Sequence, residues 1–252
     1  MQMRPNKLKR KLQAGGTGYA VTGIYSTYEI DNFAPAMLGA GSDALWFDSE
    51  HGPVTPAQVG DITRACDLWG LTSMLRISGH DQNEVFRNLD LGAQAIVAPH
   101  ITTADEARNI VQGGRFPPEG HRGAYFGRQS FGVSGYFDQV DQETMLVAMI
   151  EDDRGVANLD AILDVEHIDL FFVGAFDLAS SLGHVKDPRN PAAIKVVMET
   201  LERISAKGRV AGIYTAPADV PRYADAGARF FMTVARNWIE VGAKAFTQAG
   251  GG

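Results

Sequence analysis

The feature that most constrains this chain is a recurrence of short apolar, β-rich runs, at 18–25, 44–47, 73–77, 95–98, 146–150, 170–173, 210–214 and 230–234. Between most of them lie stretches of helical periodicity, at 56–68, 83–89, 104–111, 156–163 and 192–206. Strands that alternate with helices in this way predict an α/β fold with a closed parallel sheet, the (β/α)8 or TIM barrel. Each crossover helix then covers one outer face of the sheet, and closure removes its edges. An open doubly wound sheet would carry a glycine-rich phosphate loop after its first strand. Here Gly15-Gly16-Thr17-Gly18 precedes that strand and reads as a turn. The 252 residues suit one domain over 1–252, with an amino-terminal helix and turn at 1–16 and a disordered tail at 249–252.

The longest stretch without clear periodicity is 116–143, which carries Pro117-Pro118 and the aromatics Tyr125, Phe126, Phe131, Tyr136 and Phe137. Loops of this length in compact domains are usually functional. Because it follows the fourth strand, it is expected over the carboxyl-terminal mouth of the barrel, as a lid or a subunit contact.

Composition removes several classes of function. A formal charge of −7 gives no basic footprint for nucleic acid. The basic cluster Lys7, Lys9, Arg10 and Lys11 reads as the solvated face of a short helix. No apolar run approaches the roughly 20 residues that cross a bilayer, so no membrane partner is expected. The first residues lack the apolar core of a secretory signal, and the expectation is a cytoplasmic protein. A single cysteine, Cys66, excludes an intrachain disulfide and a thiolate zinc site, and its apolar surroundings suggest a buried, inert thiol.

Barrel enzymes build their sites from the last residues of the strands. Strand two ends in Phe47-Asp48-Ser49-Glu50-His51-Gly52-Pro53 and strand three in Leu75-Arg76. Strand five ends in Ile150-Glu151-Asp152-Asp153, and strand six runs into Gly174-Ala175-Phe176-Asp177. Charged groups directly after apolar strands are costly unless paired, hydrated or metal-bound. A carboxylate there also serves as a helix cap, and Asp153 and Asp177 taken singly fit that reading.

Together the groups suggest more. Glu151 and Asp177, on neighbouring strands, would suit a hard divalent ion such as Mg²⁺ or Mn²⁺, with positions left for a chelating substrate. His51 with Asp48 three residues before it could be an imidazole oriented by a carboxylate, a common arrangement for a general base; a histidine bonded to a loop carbonyl is the plainer alternative. Arg76 offers a fork of donors for a carboxylate or an enolate oxygen, or else a salt bridge to a barrel carboxylate.

The motifs Phe47-Asp48-Ser49-Glu50-His51-Gly52-Pro53, Arg76, Met149-Ile150-Glu151 and 173–183 resemble the signatures of the HpcH/HpaI aldolase family. The resemblance runs from about residue 20 to about 240. It implies a class II, metal-dependent aldolase, with Glu151 and Asp177 as ligands of Mg²⁺ or Mn²⁺, and with Co²⁺, Ni²⁺ or Zn²⁺ as further candidates. The 2-oxo acid substrate would chelate that ion, with Arg76 steadying its enolate and His51, oriented by Asp48, moving protons at the aldol hydroxyl.

The resemblance also implies that backbone amides near Gly174, Ala175 and Phe176 hold the substrate carboxylate. Asp90 would reach the base of a neighbouring subunit in a homo-oligomer, usually a hexamer. The chain departs from the family pattern at Met149, where glutamine is usual, and at Ala175-Phe176, where proline and alanine are usual.

The expected reaction is reversible aldol cleavage of a 4-hydroxy-2-oxo acid to pyruvate or hydroxypyruvate plus an aldehyde. A coenzyme A thioester lyase of citryl or malyl type, or an oxaloacetate decarboxylase, is the alternative on the same fold. A barrel that binds a 2-oxo acid without turning it over does not need the base, the cation and both carboxylates. Imine chemistry needs a lysine at a strand end, and none of Lys7, Lys9, Lys11, Lys186, Lys195, Lys207 and Lys244 ends a candidate strand.

Overall fold

The computed structural model describes residues 2–250. Eight parallel strands close into a barrel in chain order: β1 (Gly18–Thr22), β2 (Ala44–Asp48), β3 (Thr72–Arg76), β4 (Ala95–Ala98), β5 (Met145–Ile150), β6 (Leu170–Val173), β7 (Ala211–Tyr214) and β8 (Ala228–Val234). The chain is therefore a (β/α)8 barrel. Every expected strand forms, with ends moved by a few residues. The largest change is at β1, which stops at Thr22 because Gly23 turns the chain with φ 91°.

The helices are α1 (Lys7–Gln13), α2 (Thr27–Gly39), α3 (Pro56–Trp69), α4 (Gln82–Asp90), α5 (Ala104–Gly114), α6 (Tyr136–Glu143), α7 (Asp153–Ala157), α8 (Leu159–Leu163), α9 (Ala175–Ser181), α10 (Pro191–Ala206), α11 (Val220–Asp225) and α12 (Ala235–Ala249). The starts of α2 and α5 are set by capping boxes, Ser26 with Glu29 and Thr103 with Glu106. Residues 251 and 252 of the tail expected at 249–252 lie outside the described residues, while Ala249 ends α12 and Gly250 caps it.

Strand alternation sorts the core into two layers. Outward residues such as Leu45, Phe47, Leu75, Ile96 and Phe171 pack under the helices. Inward residues, among them Trp46, Met74, Val97, Val147, Met149, Phe172 and Phe230, fill the barrel, with the Trp46 and Phe172 rings 4.9 Å apart. Leu8 and Leu12 of α1 join the inward cluster and close the amino-terminal end of the barrel. Fully burying a side chain such as Leu8 contributes about 1.5–3 kcal/mol.

Two expectations are corrected here. Segment 116–143 does not cover the mouth: α5 intervenes between β4 and this segment and carries the chain back to the amino-terminal end. There Arg122 pairs with Asp90 at the end of α4, Arg128 with Asp67 near the end of α3, and the side chain of Gln129 donates to Leu89 O at 3.1 Å.

The basic cluster of α1 is also not simply a solvated face. Lys9 is buried, with Nζ 3.1 Å from Asp169 and donating to Thr144 O at 2.6 Å, and Arg10 pairs with Glu143. Burial lowers the Lys9 pKa, against the pull of Asp169. Cys66 is buried as expected, and burial pushes its thiol up to about 12.

No helix among the described residues is long and apolar enough to cross a membrane. In α12 only Ala235 is buried, whereas Ile239, Val241 and Phe246 are exposed. Between α12 and α2 runs an apolar groove of about 450 Å³ that includes Ile24, Phe33, Met37, Trp238 and Ile239.

Candidate active site

The inward rows of β2, β3 and β5 continue past the apolar core into charged residues. Ala44 and Trp46 lead to Asp48, Met74 leads to Arg76, and Met145, Val147 and Met149 lead to Glu151. The same alternation that fills the barrel therefore turns these side chains toward its carboxyl-terminal mouth.

Asp48 and Arg76 are partners in the β2–β3 register. Arg76 donates to both oxygens of Asp48, Nε to Oδ1 at 3.0 Å and Nη2 to Oδ2 at 2.5 Å, and its Nη1 lies 2.9 Å from Glu50 Oε2. Burial alone would raise the Asp48 pKa, but the hydrogen bonds and charge of Arg76 outweigh it and hold the carboxyl below its ordinary value. Burial would lower the Arg76 pKa, and its pairing with Asp48 and Glu50 raises it instead.

This arrangement corrects one expectation. Asp48 does not orient the His51 imidazole; it accepts the backbone N–H groups of Glu50 at 3.0 Å and His51 at 3.2 Å, while the charged fork of Arg76 takes up its carboxylate. The His51 ring is exposed, and its Nε2 lies 4.0 Å from Glu50 Oε2. Gly52 allows the loop to turn back on Asp48, since a Cβ there would stand 2.5 Å from Asp48 O.

Glu151 is 2% exposed. Its Oε1 accepts the backbone N–H of His100 at 2.8 Å and lies 3.5 Å from His100 Nδ1, whereas its buried Oε2 has no hydrogen-bond partner among the described residues. Burial pushes the Glu151 carboxyl up to about 7, with the charges of Asp177 and Glu50 adding to the rise and the His100 amide opposing it. Gly174 makes room for this carboxylate, because a Cβ there would meet Oε2 at 2.4 Å. Asp177 is exposed in the first turn of α9.

Two groups were not singled out by sequence reasoning. His100, just past β4, reaches Glu50 Oε1 with Nε2 at 3.0 Å, and Glu50 binds Arg76. Glu50 had a signal in the strand-two motif; His100 had none, because it lies two residues beyond its strand.

Other expected residues lie differently. The Gly174 N–H is committed to Ile150 O at 3.0 Å, which leaves Ala175 and Phe176, with Asp177, as the first-turn amides of α9 without an intrahelical acceptor. The Phe176 ring is half exposed and stands 5.7 Å from that of Tyr214 at the end of β7. Asp90 lies at the opposite end of the barrel, 2.7 Å from Arg122 of the same chain, and does not join this cluster within one chain.

No group of three or more His, Cys, Asp or Glu among the described residues is arranged to enclose a metal by itself. The donor set still fits a hard divalent ion: a buried carboxylate with an orphaned oxygen and a second carboxylate near enough to raise its pKa. Two such ligands would leave coordination positions for a substrate.

The sequence profile of the HpcH/HpaI aldolase/citrate lyase family matches residues 22–240. The chain belongs to that family. Among HpcH/HpaI relatives it is 34% identical over 230 residues to a hydroxypyruvate/pyruvate aldolase of Roseobacter denitrificans, covering 89% of each chain. It is 34% identical over 234 residues to a 4-hydroxy-2-oxovalerate aldolase of Novosphingobium aromaticivorans, covering 91% of this chain and 88% of the relative. A solved HpcH/HpaI aldolase/citrate lyase family protein from Burkholderia cenocepacia superposes with a TM-score of 0.88 at 28% identity, over 98% of this chain and 100% of the other. The protein is a carbon–carbon lyase of the HpcH/HpaI family.

Proposed function

We propose that the protein catalyses the reversible aldol cleavage of a 4-hydroxy-2-oxo acid to pyruvate or hydroxypyruvate and an aldehyde, with a divalent cation as cofactor. The observation that carries this reading is Glu151, a buried carboxylate with one orphaned oxygen at the mouth of an HpcH/HpaI barrel. Glu151 and Asp177 are the residues that would hold Mg²⁺ or Mn²⁺; a bound cation supplies Lewis-acid stabilisation of enolate charge.

The chain's own residues do the rest. Two of the five Arg76 N–H donors bond to Asp48, and the Nη1 end stands as an ion pair beside Glu50, so donors remain for an enolate oxygen. The Ala175 and Phe176 amides receive the substrate carboxylate. His51, exposed beside Glu50, moves the proton at the aldol hydroxyl.

The working unit is a homo-oligomer in the cytoplasm, in which a second copy covers the exposed apolar side of α12 and the groove beside α2. Asp90, at the far end of the barrel, could reach an imidazole only in such a neighbour.

An aldol screen with pyruvate and hydroxypyruvate against short hydroxylated, semialdehyde and aromatic aldehydes tests the reading, with light scattering for the assembly. Activity is expected to vanish with chelator and return with Mg²⁺ or Mn²⁺. Full activity in chelator or in Glu151→Ala would overturn it, as would covalent trapping on a lysine by borohydride.

A further inference from the structure

Two carboxylates at the mouth, Glu50 just past β2 and Glu151 just past β5, repel each other, yet both are nearly buried. His100 stands between them. Its Nε2 is 3.0 Å from Glu50 Oε1, its Nδ1 3.5 Å from Glu151 Oε1, and its backbone N–H donates to that same Glu151 oxygen at 2.8 Å.

The backbone that allows this is strained. His100 has φ 53°, in the left-handed region that a residue with a Cβ enters at a cost of roughly 1–2 kcal/mol. Such conformations persist where the surroundings hold them, and they concentrate at functional sites. The preceding Pro99 follows β4 directly, so the turn brings His100 back over the strand end where β5 presents Glu151.

We infer that His100 is a positioning residue of the cation site: its amide captures Glu151 Oε1, and its imidazole, set between that oxygen and Glu50, holds the two carboxylates in place, so that Oε2 is the oxygen left for the cation. This rests on the function proposed above. A carboxylate free to rotate would offer either oxygen or both, whereas one clamped on a single oxygen offers a fixed monodentate ligand. Partners that orient a ligand in this way typically account for about 10–100-fold in metal affinity.

The link reaches further than the ligand. Glu50 also binds Arg76 Nη1, so one chain of contacts runs from Glu151 through His100 and Glu50 to the guanidinium assigned to the enolate oxygen. Loss of the imidazole should therefore loosen the cation and misplace Arg76, lowering kcat more than it raises KM.

The test uses the full chain and Mn²⁺ as probe, with affinity read by electron paramagnetic resonance or calorimetry. His100→Asn and His100→Gly both tolerate the left-handed backbone and keep the amide, and both remove the bridging ring. Each is expected to bind Mn²⁺ about tenfold or more weakly, with the metal-free Tm within about 3 °C of wild type. Mn²⁺ affinity within about twofold of wild type in both variants overturns the assignment. A weakening accompanied by a large fall in metal-free Tm overturns it as well, since the ring would then be a general structural prop.

Glu151→Ala separates the two ways of failing. Wild-type Mn²⁺ binding by that variant overturns the cation reading and the His100 assignment with it. Weak binding there, with unchanged binding in the His100 variants, overturns the assignment alone.

Discussion

At the amino-terminal end of the barrel, Asp169 is shared by Lys9 and Arg115, Leu146 N–H donates to it, and Arg115 also donates to Thr144 O and His167 O. At the carboxyl-terminal mouth, Asp48 and Glu50 pair with one guanidinium, Glu151 lies near it with Asp177 close by, and Glu151 keeps a buried oxygen without a partner. Both ends bury charge. The amino-terminal end pairs most of it, with one Asp141 oxygen and part of the Arg122 guanidinium left without a hydrogen bond, and this pairing locks α1 and segment 116–143 onto the barrel. The mouth leaves negative charge in excess, an arrangement that is costly for folding and useful for holding a cation. Substitutions that exchange activity against stability should therefore act in opposite senses at the two ends.

The largest effect is expected at the mouth. Glu151→Gln keeps the shape of the side chain and removes its charge, so kcat/KM for aldol cleavage should fall about 10³-fold, roughly 4 kcal/mol of transition-state stabilisation. The metal-free Tm should hold or rise, because an unpartnered buried carboxylate is gone. A lower Tm with activity retained would break the contrast.

Arg115→Met is the counterpart at the closed end. It leaves Asp169 with Lys9 as its remaining ion-pair partner, leaves Thr144 O with Lys9 alone, and strands His167 O. A loss of about 3 kcal/mol is expected, a Tm fall of about 6–12 °C, with the activity of the folded protein unchanged. Lost activity at an unchanged Tm would join the two ends functionally.

A smaller effect sharpens the picture of the mouth. Arg76→Lys keeps the charge and loses the planar fork that spans both Asp48 oxygens. It should lower kcat/KM about 10²-fold, close to 3 kcal/mol, with a modest fall in Tm. If lysine serves as well, the geometry of Arg76 carries no weight and its charge alone suffices.

The same contrast explains what could be read from the sequence. Strands are legible because each is a short apolar run whose alternation is set locally, and all eight were placed. Asp48, Arg76 and Glu151 were legible because they end such runs. The fate of 116–143 was not, since periodicity says nothing of which end of the barrel a loop returns to, and α5 decides that. Lys9 read as a surface lysine, because its partner Asp169 lies 160 positions further along the chain. The α2 helix was missed with Pro35 inside it, and α12 because its apolar residues face away from the barrel. His100 and the true partner of Asp48 depend on cross-strand contacts that no spacing rule contains.

The smallest expected effect follows from Asp48, the one mouth carboxylate that is fully paired. Arg76 holds its pKa below the ordinary carboxylate value near 3.9, so the unfolded chain takes up a proton here more readily than the folded one. The stability that Asp48 contributes is thus fully present above about pH 4 and is lost as pH falls through its lower folded value. Urea denaturation of wild type and Asp48→Asn should show a constant gap in midpoint between about pH 5 and 8, and a gap that narrows below about pH 4. A gap that stays constant to pH 3 would mean that the Arg76 pair carries no charge-dependent stability, and that Asp48 acts only by accepting the Glu50 and His51 amides. A gap that widens on acidification would reverse the sign and place Asp48 among the unpaired carboxylates, with Glu151.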